Sequence, residues 1–216
     1  MLPEWLQRAV TVRRRSSIWL RTGVLFIHVP RAAGTSINYA LYGRFMGHVR
    51  AVDVERWGSR ALNALPSFAV VRNPWERLVS AYRLALRGKG EGGPYEASVW
   101  RAESYRIPEF RTFDSFVTEW LARRDVRKLD GIFQPQWQFA YDASGKLLVD
   151  HLGRLENLAP TRAFLGEQLG QAPAIGEGNR SGPLLDYRDF YTDELVEIVS
   201  RIYREDVRLL GYDFGP

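Results

Sequence analysis

A cluster of small and hydroxyl-bearing residues near the N-terminus has the composition of a phosphate-binding turn. It lies in the stretch FIHVPRAAGTSI, residues 26–37, where an apolar run ends at a proline and a Thr-Ser pair marks the start of a helix. A turn that joins a strand to a helix presents backbone N–H groups to a ligand, and the helix adds the positive end of its dipole. Small residues let a phosphate approach the backbone. The residues that could bind the phosphate are Arg31, Ala32, Ala33, Gly34, Thr35 and Ser36.

This turn differs from the P-loop of ordinary nucleotide enzymes, whose sequence is G-x-x-x-x-G-K-[ST]. Val29 stands where the first glycine of that motif would be, and Thr35 stands where its lysine would be. The difference argues against an ordinary ATP or GTP enzyme. From this turn alone, a plain strand–turn–helix junction that binds no ligand is about as good an interpretation as a phosphate-binding turn.

A second junction has the same character. The stretch VVRNPWERLVSAY, residues 70–82, places Arg72 between a strand and a helix start, with Asn73 as N-cap and Pro74 in the first turn. A guanidinium fork suits bidentate binding of phosphate oxygens. Ser80 follows two turns into the helix. Arg72 could instead be a structural ion-pair partner and Ser80 a packing residue. Two such junctions in one small chain favour a ligand with two separate phosphates.

Alternating strands and helices must position these junctions. We predict strands at 24–29, 67–72 and 146–152, and helices at 35–42, 73–86, 113–124, 155–169 and 192–210. Such alternation implies an α/β fold with a mainly parallel sheet. Residues 1–20 are predicted to form an amphipathic or loosely ordered N-terminal lead-in, and residues 21–216 a single domain. The Gly-rich stretches at 88–94 and 172–183 are predicted to be loops.

The composition excludes several classes of protein. The chain has 216 residues and no cysteine, which excludes disulfide frameworks, thiolate zinc sites and cysteine nucleophiles. The net charge is +5, but the only basic run, at 13–15, is too short to argue for a nucleic-acid partner. No cluster of histidines and carboxylates suggests a metal site. No signal peptide or transmembrane run is present, so we expect a cytoplasmic protein without an integral membrane segment.

Together the two junctions resemble those of carbohydrate sulfotransferases that use 3′-phosphoadenosine 5′-phosphosulfate (PAPS). The first junction is similar to their 5′-phosphosulfate loop and the second to their 3′-phosphate motif. The resemblance runs from about residue 24 to 214 and includes LLVDHLGRLENL, the NRS at 179–181 and the terminal YREDVRLLGYDF. It implies a P-loop-like three-layer fold, in which helices flank a central, mainly parallel sheet, and a single sulfotransferase domain at 21–216. It further implies PAPS as co-substrate, a carbohydrate hydroxyl as acceptor, and nucleotide contacts from Arg72, Ser80, Arg180 and Ser181.

The resemblance also suggests the catalytic residues. The stretch FMGHVRAVDVERWG, residues 45–58, is similar to the segment of heparan-type 2-O-sulfotransferases that carries a catalytic histidine, and His48 occupies that place. A neutral imidazole suits general-base work near neutral pH. Those enzymes have another histidine two residues earlier, where this chain has Met46. Arg31 replaces their usual lysine, and because arginine does not readily give up a proton we expect it to act as an electrostatic stabiliser. His28 and His151 are expected to be satisfied core histidines.

Two other functions stay open at this point. The chain could be a non-catalytic nucleotide-binding module of the same fold, with Arg31 and Met46 as signs of lost turnover, or an ATP-dependent kinase-like enzyme. The acceptor is also open among polysaccharides, glycolipids and small glycosides. The aromatic residues that could stack on sugar rings, or could equally belong to the core, are Trp57, Trp100, Tyr105 and Trp137.

Overall fold

Three short apolar strands form a parallel sheet in the computed structural model of this chain, which describes residues 3–88, 99, 101–175 and 186–215. In chain order the helices and strands are α1 (Glu4–Thr22), β1 (Leu25–Ile27), α2 (Gly34–Tyr42), α3 (Ala51–Trp57), α4 (Arg60–Asn63), β2 (Ser67–Val71), α5 (Pro74–Arg87), α6 (Phe113–Ser115), α7 (Trp137–Ala140), β3 (His151–Arg154), α8 (Ala159–Leu169), α9 (Asp193–Ile202) and α10 (Arg204–Leu210). The chain folds into two compact units. The first comprises Met1–Val71 and Gln136–Ile175, and the second comprises Arg72–Pro135 and Gly176–Pro216.

The sheet belongs to the first unit and has the order β1-β2-β3, with both pairs of strands parallel. Every residue of β1 and β2 is buried, which is typical of parallel strands covered on both faces. Helices flank this small sheet, with α8 packing on β3. The α/β prediction with a parallel sheet is therefore confirmed.

The third strand begins later than the predicted 146–152. Asp142 Oδ1 accepts hydrogen bonds from the backbone N–H groups of Ser144, at 2.8 Å, and Lys146, at 2.9 Å, and so closes a tight turn. The turn folds Leu147 back against Tyr141 in an isolated antiparallel bridge. The parallel pairing with β2 therefore starts only at His151.

Helix α1 makes residues 4–22 an ordered part of the first unit. Its buried residues are Ala9, Val12 and Trp19, and it packs against α2, α3 and α4. The helix ends at Gly23, which adopts a left-handed conformation and donates its N–H to Trp19 O at 2.9 Å. The predicted lead-in is thus a regular helix with a buried face, since apolar side chains recur along it at helical spacing.

In the second unit, α5 begins as predicted. Asn73 Oδ1 accepts hydrogen bonds from the backbone N–H groups of Trp75, at 3.1 Å, and Glu76, at 3.4 Å, and Pro74 occupies the first turn. These bonds satisfy N–H groups that the start of a helix otherwise leaves without partners. The position and direction of the α5 N-terminus therefore follow from local sequence.

The core of the second unit is largely aromatic. Tyr82 of α5 donates its hydroxyl to Phe110 O at 3.1 Å. The rings in mutual contact around it are Tyr105, Phe110, Phe113, Phe116, Trp120 and Phe133. The predicted helix at 113–124 takes part in this packing as α6 followed by a π-helical segment, Phe116–Leu121. Tyr105 is buried, so it is a core residue and not a platform for a sugar.

The C-terminal helix predicted at 192–210 is two helices, α9 and α10, which meet at Tyr203. Tyr203 has φ −104° and ψ 28°, which is outside the helical range. Its ring is buried, and its hydroxyl donates to Phe133 O at 2.7 Å. This long-range contact accounts for a break that helical periodicity alone does not predict.

Candidate active site

The predicted phosphate turn has an unusual backbone. Arg31 has φ 69° and Ala33 has φ 58°, both in the left-handed region that residues other than glycine seldom adopt. Each such residue costs of order 1–3 kcal/mol, and such residues cluster at functional sites. Left-handed residues within a turn point successive backbone N–H groups into one concavity, which suits an anion. The turn leads directly into α2, whose first residue is Gly34.

Gly34 lies against the imidazole of His28. A Cβ built on Gly34 would come within 1.7 Å of His28 Cδ2, so no other residue fits there without moving the ring. The carbonyl oxygen of Gly34 accepts a hydrogen bond from Asn38 Nδ2 at 2.7 Å. The small residue expected beside a phosphate is thus also required by the packing beneath the turn.

His28 is fully packed, as predicted for a core histidine. Its side chain is 4% exposed, and its Nδ1 lies 3.1 Å from Asn38 Nδ2. Burial holds the pKa of His28 well below the ordinary value, and the nearby charges of His48 and Arg31 act in the same direction, while a hydrogen bond to the Gly47 backbone opposes them. His28 is therefore neutral at physiological pH.

His48 lies beside His28 and is exposed to solvent. The two ring centroids are 4.2 Å apart, and the exposed ring of Phe45 packs edge-on against both imidazoles. His48 Nδ1 lies 3.3 Å from the backbone oxygen of His28. A carbonyl oxygen can only accept a hydrogen bond, so Nδ1 carries the proton and Nε2 is the basic nitrogen of the ring.

Gly47, which precedes His48, lies against Arg15, a residue that sequence reasoning did not single out. Gly47 has φ +70°, and a Cβ on it would lie 2.7 Å from Arg15 Nη2. Burial lowers the pKa of Arg15, and the charge of Arg44 lowers it further. Arg15 belongs to α1, within the basic run at 13–15, and that run was the only signal in the sequence. Met46, which stands where the heparan-type enzymes that this stretch resembles have a second histidine, is buried.

Arg72 and Ser80 belong to the second unit. Arg72 Nη2 lies 2.6 Å from Glu76 Oε1, in an ion pair one helical turn apart. Arg72, Glu76 and Ser80 follow one another at four-residue spacing, and all three are half-buried, so they share one face of the chain at the start of α5. The ion pair considered from sequence is present, and the phosphate role of Arg72 and Ser80 stays a prediction. Arg180 and Ser181 lie outside the described residues.

Arg77, in the first turn of α5, is a buried arginine that sequence reasoning did not assign to the site. It is 2% exposed and donates from Nη2 to Gly131 O at 3.3 Å. Burial lowers its pKa, while Tyr203 and the buried Asp206 act in the opposite direction. A fully buried guanidinium next to a buried carboxylate indicates a structural role in the second unit.

The aromatic residues considered for sugar stacking have different surroundings. Trp57 is half-buried and stacks on the exposed ring of Trp5 at 5.9 Å, and Trp137 is also half-buried. Trp100 lies outside the described residues. Within the described ranges, no group of three or more His, Cys, Asp or Glu residues could hold a metal ion, and no helix has the length and apolarity needed to cross a membrane.

The chain also matches a known protein family. Residues 20–213 match the model of the sulfotransferase family, so the match covers nearly the whole chain. The chain belongs to the sulfotransferase family, and this membership supports sulfuryl transfer as its reaction. No curated protein and no solved structure matches the chain.

Proposed function

We propose that this protein is a PAPS-dependent O-sulfotransferase that transfers the sulfuryl group to a hydroxyl of a carbohydrate. The observation that carries the proposal is the arrangement in the first unit. There an exposed histidine, His48, with its Nδ1 proton held by a backbone carbonyl, lies beside the residue that packs under the turn at Arg31–Ser36. A basic nitrogen and an anion-binding turn are what sulfuryl transfer to an alcohol requires.

The turn of the first unit would hold the 5′-phosphosulfate. Its backbone N–H groups at Gly34, Thr35 and Ser36 stand at the start of α2, where the helix dipole favours an anion. The hydroxyls of Thr35 and Ser36 add donors, and the alanines at 32 and 33 leave room for the phosphate oxygens. Arg31 supplies a full positive charge.

Residues of the second unit would hold the 3′-phosphate. Arg72 and Ser80 share one face at the start of α5, and the Arg72–Glu76 ion pair would hold the guanidinium in a defined orientation. The resemblance adds Arg180 and Ser181 as nucleotide contacts. The family match over 20–213 supports treating 21–216 as one sulfotransferase domain.

The proposed reaction is an in-line displacement at sulfur. The acceptor oxygen forms a bond to sulfur while the bond between sulfur and the bridging oxygen of the 5′-phosphate breaks, and 3′-phosphoadenosine 5′-phosphate leaves. His48 Nε2 takes the proton of the acceptor hydroxyl. Arg31 and the N–H groups at 34–36 stabilise the negative charge that develops on the leaving oxygen. Positioning and electrostatics supply most of the rate, as in phosphoryl transfer.

A transfer assay tests this function. The protein is incubated with sulfur-35-labelled PAPS and a panel of polysaccharides, glycolipids and small glycosides, and label on the acceptor is measured, with His48→Asn as the matched control. We expect label on at least one class of carbohydrate with the wild type and strongly reduced label with the control. Tight binding of the bisphosphate without transfer to any acceptor would support the non-catalytic module instead. Binding of ATP as tight as that of the bisphosphate would support the kinase-like alternative.

A further inference from the structure

His28 connects the phosphate turn to His48 through three separate contacts. Its ring packs under Gly34, where a Cβ would approach within 1.7 Å, and its centroid lies 4.2 Å from that of the His48 ring, with the two ring planes tilted by 49°. Its backbone oxygen lies 3.3 Å from His48 Nδ1. All of these residues belong to the first unit. A shift of the His28 ring would therefore displace both the turn at Gly34 and the ring of His48.

The hydrogen bonds of His28 define which of its ring nitrogens carries the proton. Asn38 Nδ2 lies 2.7 Å from Gly34 O, an acceptor, so this end of the amide is the donating NH2 group. The same Nδ2 lies 3.1 Å from His28 Nδ1, which must then accept. The proton of the neutral ring is thus on Nε2, and a hydrogen bond joins the imidazole to the backbone of Gly47, the residue before His48.

We propose that His28 is a positioning residue for His48. Its ring, held by Asn38 and bonded to Gly47, supports the His48 ring, and its carbonyl oxygen keeps the proton of His48 on Nδ1, so that Nε2 carries no proton and can take the proton of the acceptor hydroxyl. This role rests on the proposed function of His48 as the base.

The neutrality of His28 suits this role. Burial disfavours its charged form, so no second positive charge develops next to the imidazole that must accept a proton. A charged neighbour at this distance would oppose protonation of His48 during the reaction. The buried and the exposed histidine thus have different tasks because their surroundings differ.

The tautomers can be read directly in the wild-type protein. The chain has three histidines, so a long-range 1H–15N correlation spectrum of histidine-labelled protein contains three ring systems, which the variants His48→Asn and His151→Gln assign. We expect His48 as the Nδ1–H form and His28 as the Nε2–H form. A predominant Nε2–H form of His48 would overturn the proposal, whether or not any variant folds.

A set of variants tests whether the His28 ring causes this arrangement. His28→Phe keeps a ring under Gly34 but removes both hydrogen bonds of the imidazole, and His28→Gln restores an amide donor. The control is His151→Phe, because His151 also lies at the sheet but bonds Thr161 and stacks on Phe164 instead. His28→Phe keeps the backbone carbonyl of residue 28, but without the ring's bonds to Asn38 and Gly47 the His48 ring is no longer held in place against that carbonyl. We therefore expect a mixture of His48 tautomers and about a 10- to 100-fold lower kcat, with a much smaller change in the KM for PAPS.

The same experiments separate this proposal from the proposed function. His28→Gln should recover part of the kcat and of the Nδ1–H population, and His151→Phe should change neither. A folded His28→Phe with unchanged tautomer and unchanged kcat would overturn the positioning role. If no acceptor is ever sulfated, the proposed function fails, while the effect of His28 on the tautomer of His48 is still measured by the spectra.

Discussion

At the scale of single residues, two histidines with the same chemistry differ because one is buried and the other is exposed. His28 has its ring nitrogens engaged inside the first unit, whereas His48 has Nδ1 held by a carbonyl and its ring open to solvent. Only an exposed imidazole can exchange a proton with an acceptor. This difference is the reason that we propose His48, and not His28, as the base.

His48→Asn tests the base role with little structural change. The amide of asparagine can still donate to His28 O, but the basic nitrogen is lost. We expect kcat to fall by roughly 10²–10⁴-fold while nucleotide affinity, measured by calorimetry, stays near that of the wild type. Near-full turnover with an authentic acceptor would contradict the role. A carboxylate such as Asp53, Glu55 or Glu156 would then be the next candidate for the base.

Arg31 allows a clean test of charge at the turn. Ala, Lys and Arg all carry a Cβ, so the backbone cost of φ 69° is shared by the wild type, Arg31→Ala and Arg31→Lys. We expect Arg31→Ala to lower kcat more than it weakens nucleotide binding, because the charge matters most when the leaving oxygen becomes negative. Arg31→Lys should keep much of the activity. An intact kcat in Arg31→Ala would reassign the arginine to a structural ion pair.

Arg72 is tested by nucleotide preference. The wild type should bind 3′-phosphoadenosine 5′-phosphate much more tightly than AMP. Arg72→Ala should weaken the bisphosphate about tenfold or more, since a charge-assisted hydrogen bond contributes roughly 1.5–3 kcal/mol, and leave AMP nearly unchanged. Ser80→Ala should act in the same direction. Glu76→Gln is the control, because it also disrupts the ion pair. Calorimetry that gave Arg72→Ala and Glu76→Gln the same preference would reduce Arg72 to an ion-pair partner.

At the scale of elements, the start of α2 depends on the absence of a side chain at its first residue. Gly34→Ala places a methyl group at 1.7 Å from His28 Cδ2, so the ring or the turn must move. We expect a loss of roughly 1–3 kcal/mol in the free energy of unfolding, and weaker nucleotide binding. Urea unfolding and calorimetry measure the two effects.

A matched glycine is available in α8. A Cβ on Gly166 would meet its nearest neighbour at 3.8 Å, an ordinary contact. Gly166→Ala should therefore be neutral or stabilising by up to about 1 kcal/mol, because alanine favours the helix. If Gly34→Ala and Gly166→Ala unfolded at the same urea concentration, the close contact with His28 would not constrain the turn.

At the scale of the whole molecule, the buried histidine links stability to pH. The pKa of His28 is well below its ordinary value in the folded protein and near 6.5 in an unfolded chain, so the unfolded state binds the extra proton first. The stability that His28 contributes is therefore present above about pH 6.5 and is lost as the pH falls toward its folded pKa. The loss approaches about 1.4 kcal/mol per pH unit for one proton.

The contribution of His28 to stability is obtained by comparing how the urea midpoint depends on pH in the wild type and in His28→Phe. The groups that face it are the rings of Phe26, Phe45 and His48, the charge of Arg31, the amide of Asn38 and the Gly47 backbone. Urea midpoints of the wild type and His28→Phe, taken between about pH 7.5 and 5, should converge as the pH falls. His151, whose pKa is also lowered by burial, titrates in both proteins and cancels. Parallel profiles would show that His28 does not supply the dependence.

Local sequence determined the two junctions of this protein. The N-cap Asn73 with Pro74, and the small residues before Thr35, specify helix starts through groups that lie within a few positions of one another. The apolar runs specified β1 and β2 to within three residues at each end, since a run buried on both faces needs no distant partner to be recognised. For this reason the α/β class and the position of the strand–turn–helix junction before Thr35 were predictable, while phosphate binding at that turn stays a prediction.

Tertiary structure alone decided what surrounds those junctions. His28 was expected in the core, but its contacts with Asn38 and His48 join positions 10 and 20 residues apart. The approach of Arg15 to Gly47 and the break at Tyr203 likewise depend on partners distant in sequence. Helical periodicity and capping patterns depend only on residues that lie within a few positions of one another along the chain. The pairing of a buried and an exposed imidazole arises from packing between the end of β1 and the segment after α2, and that packing becomes visible only in the folded chain.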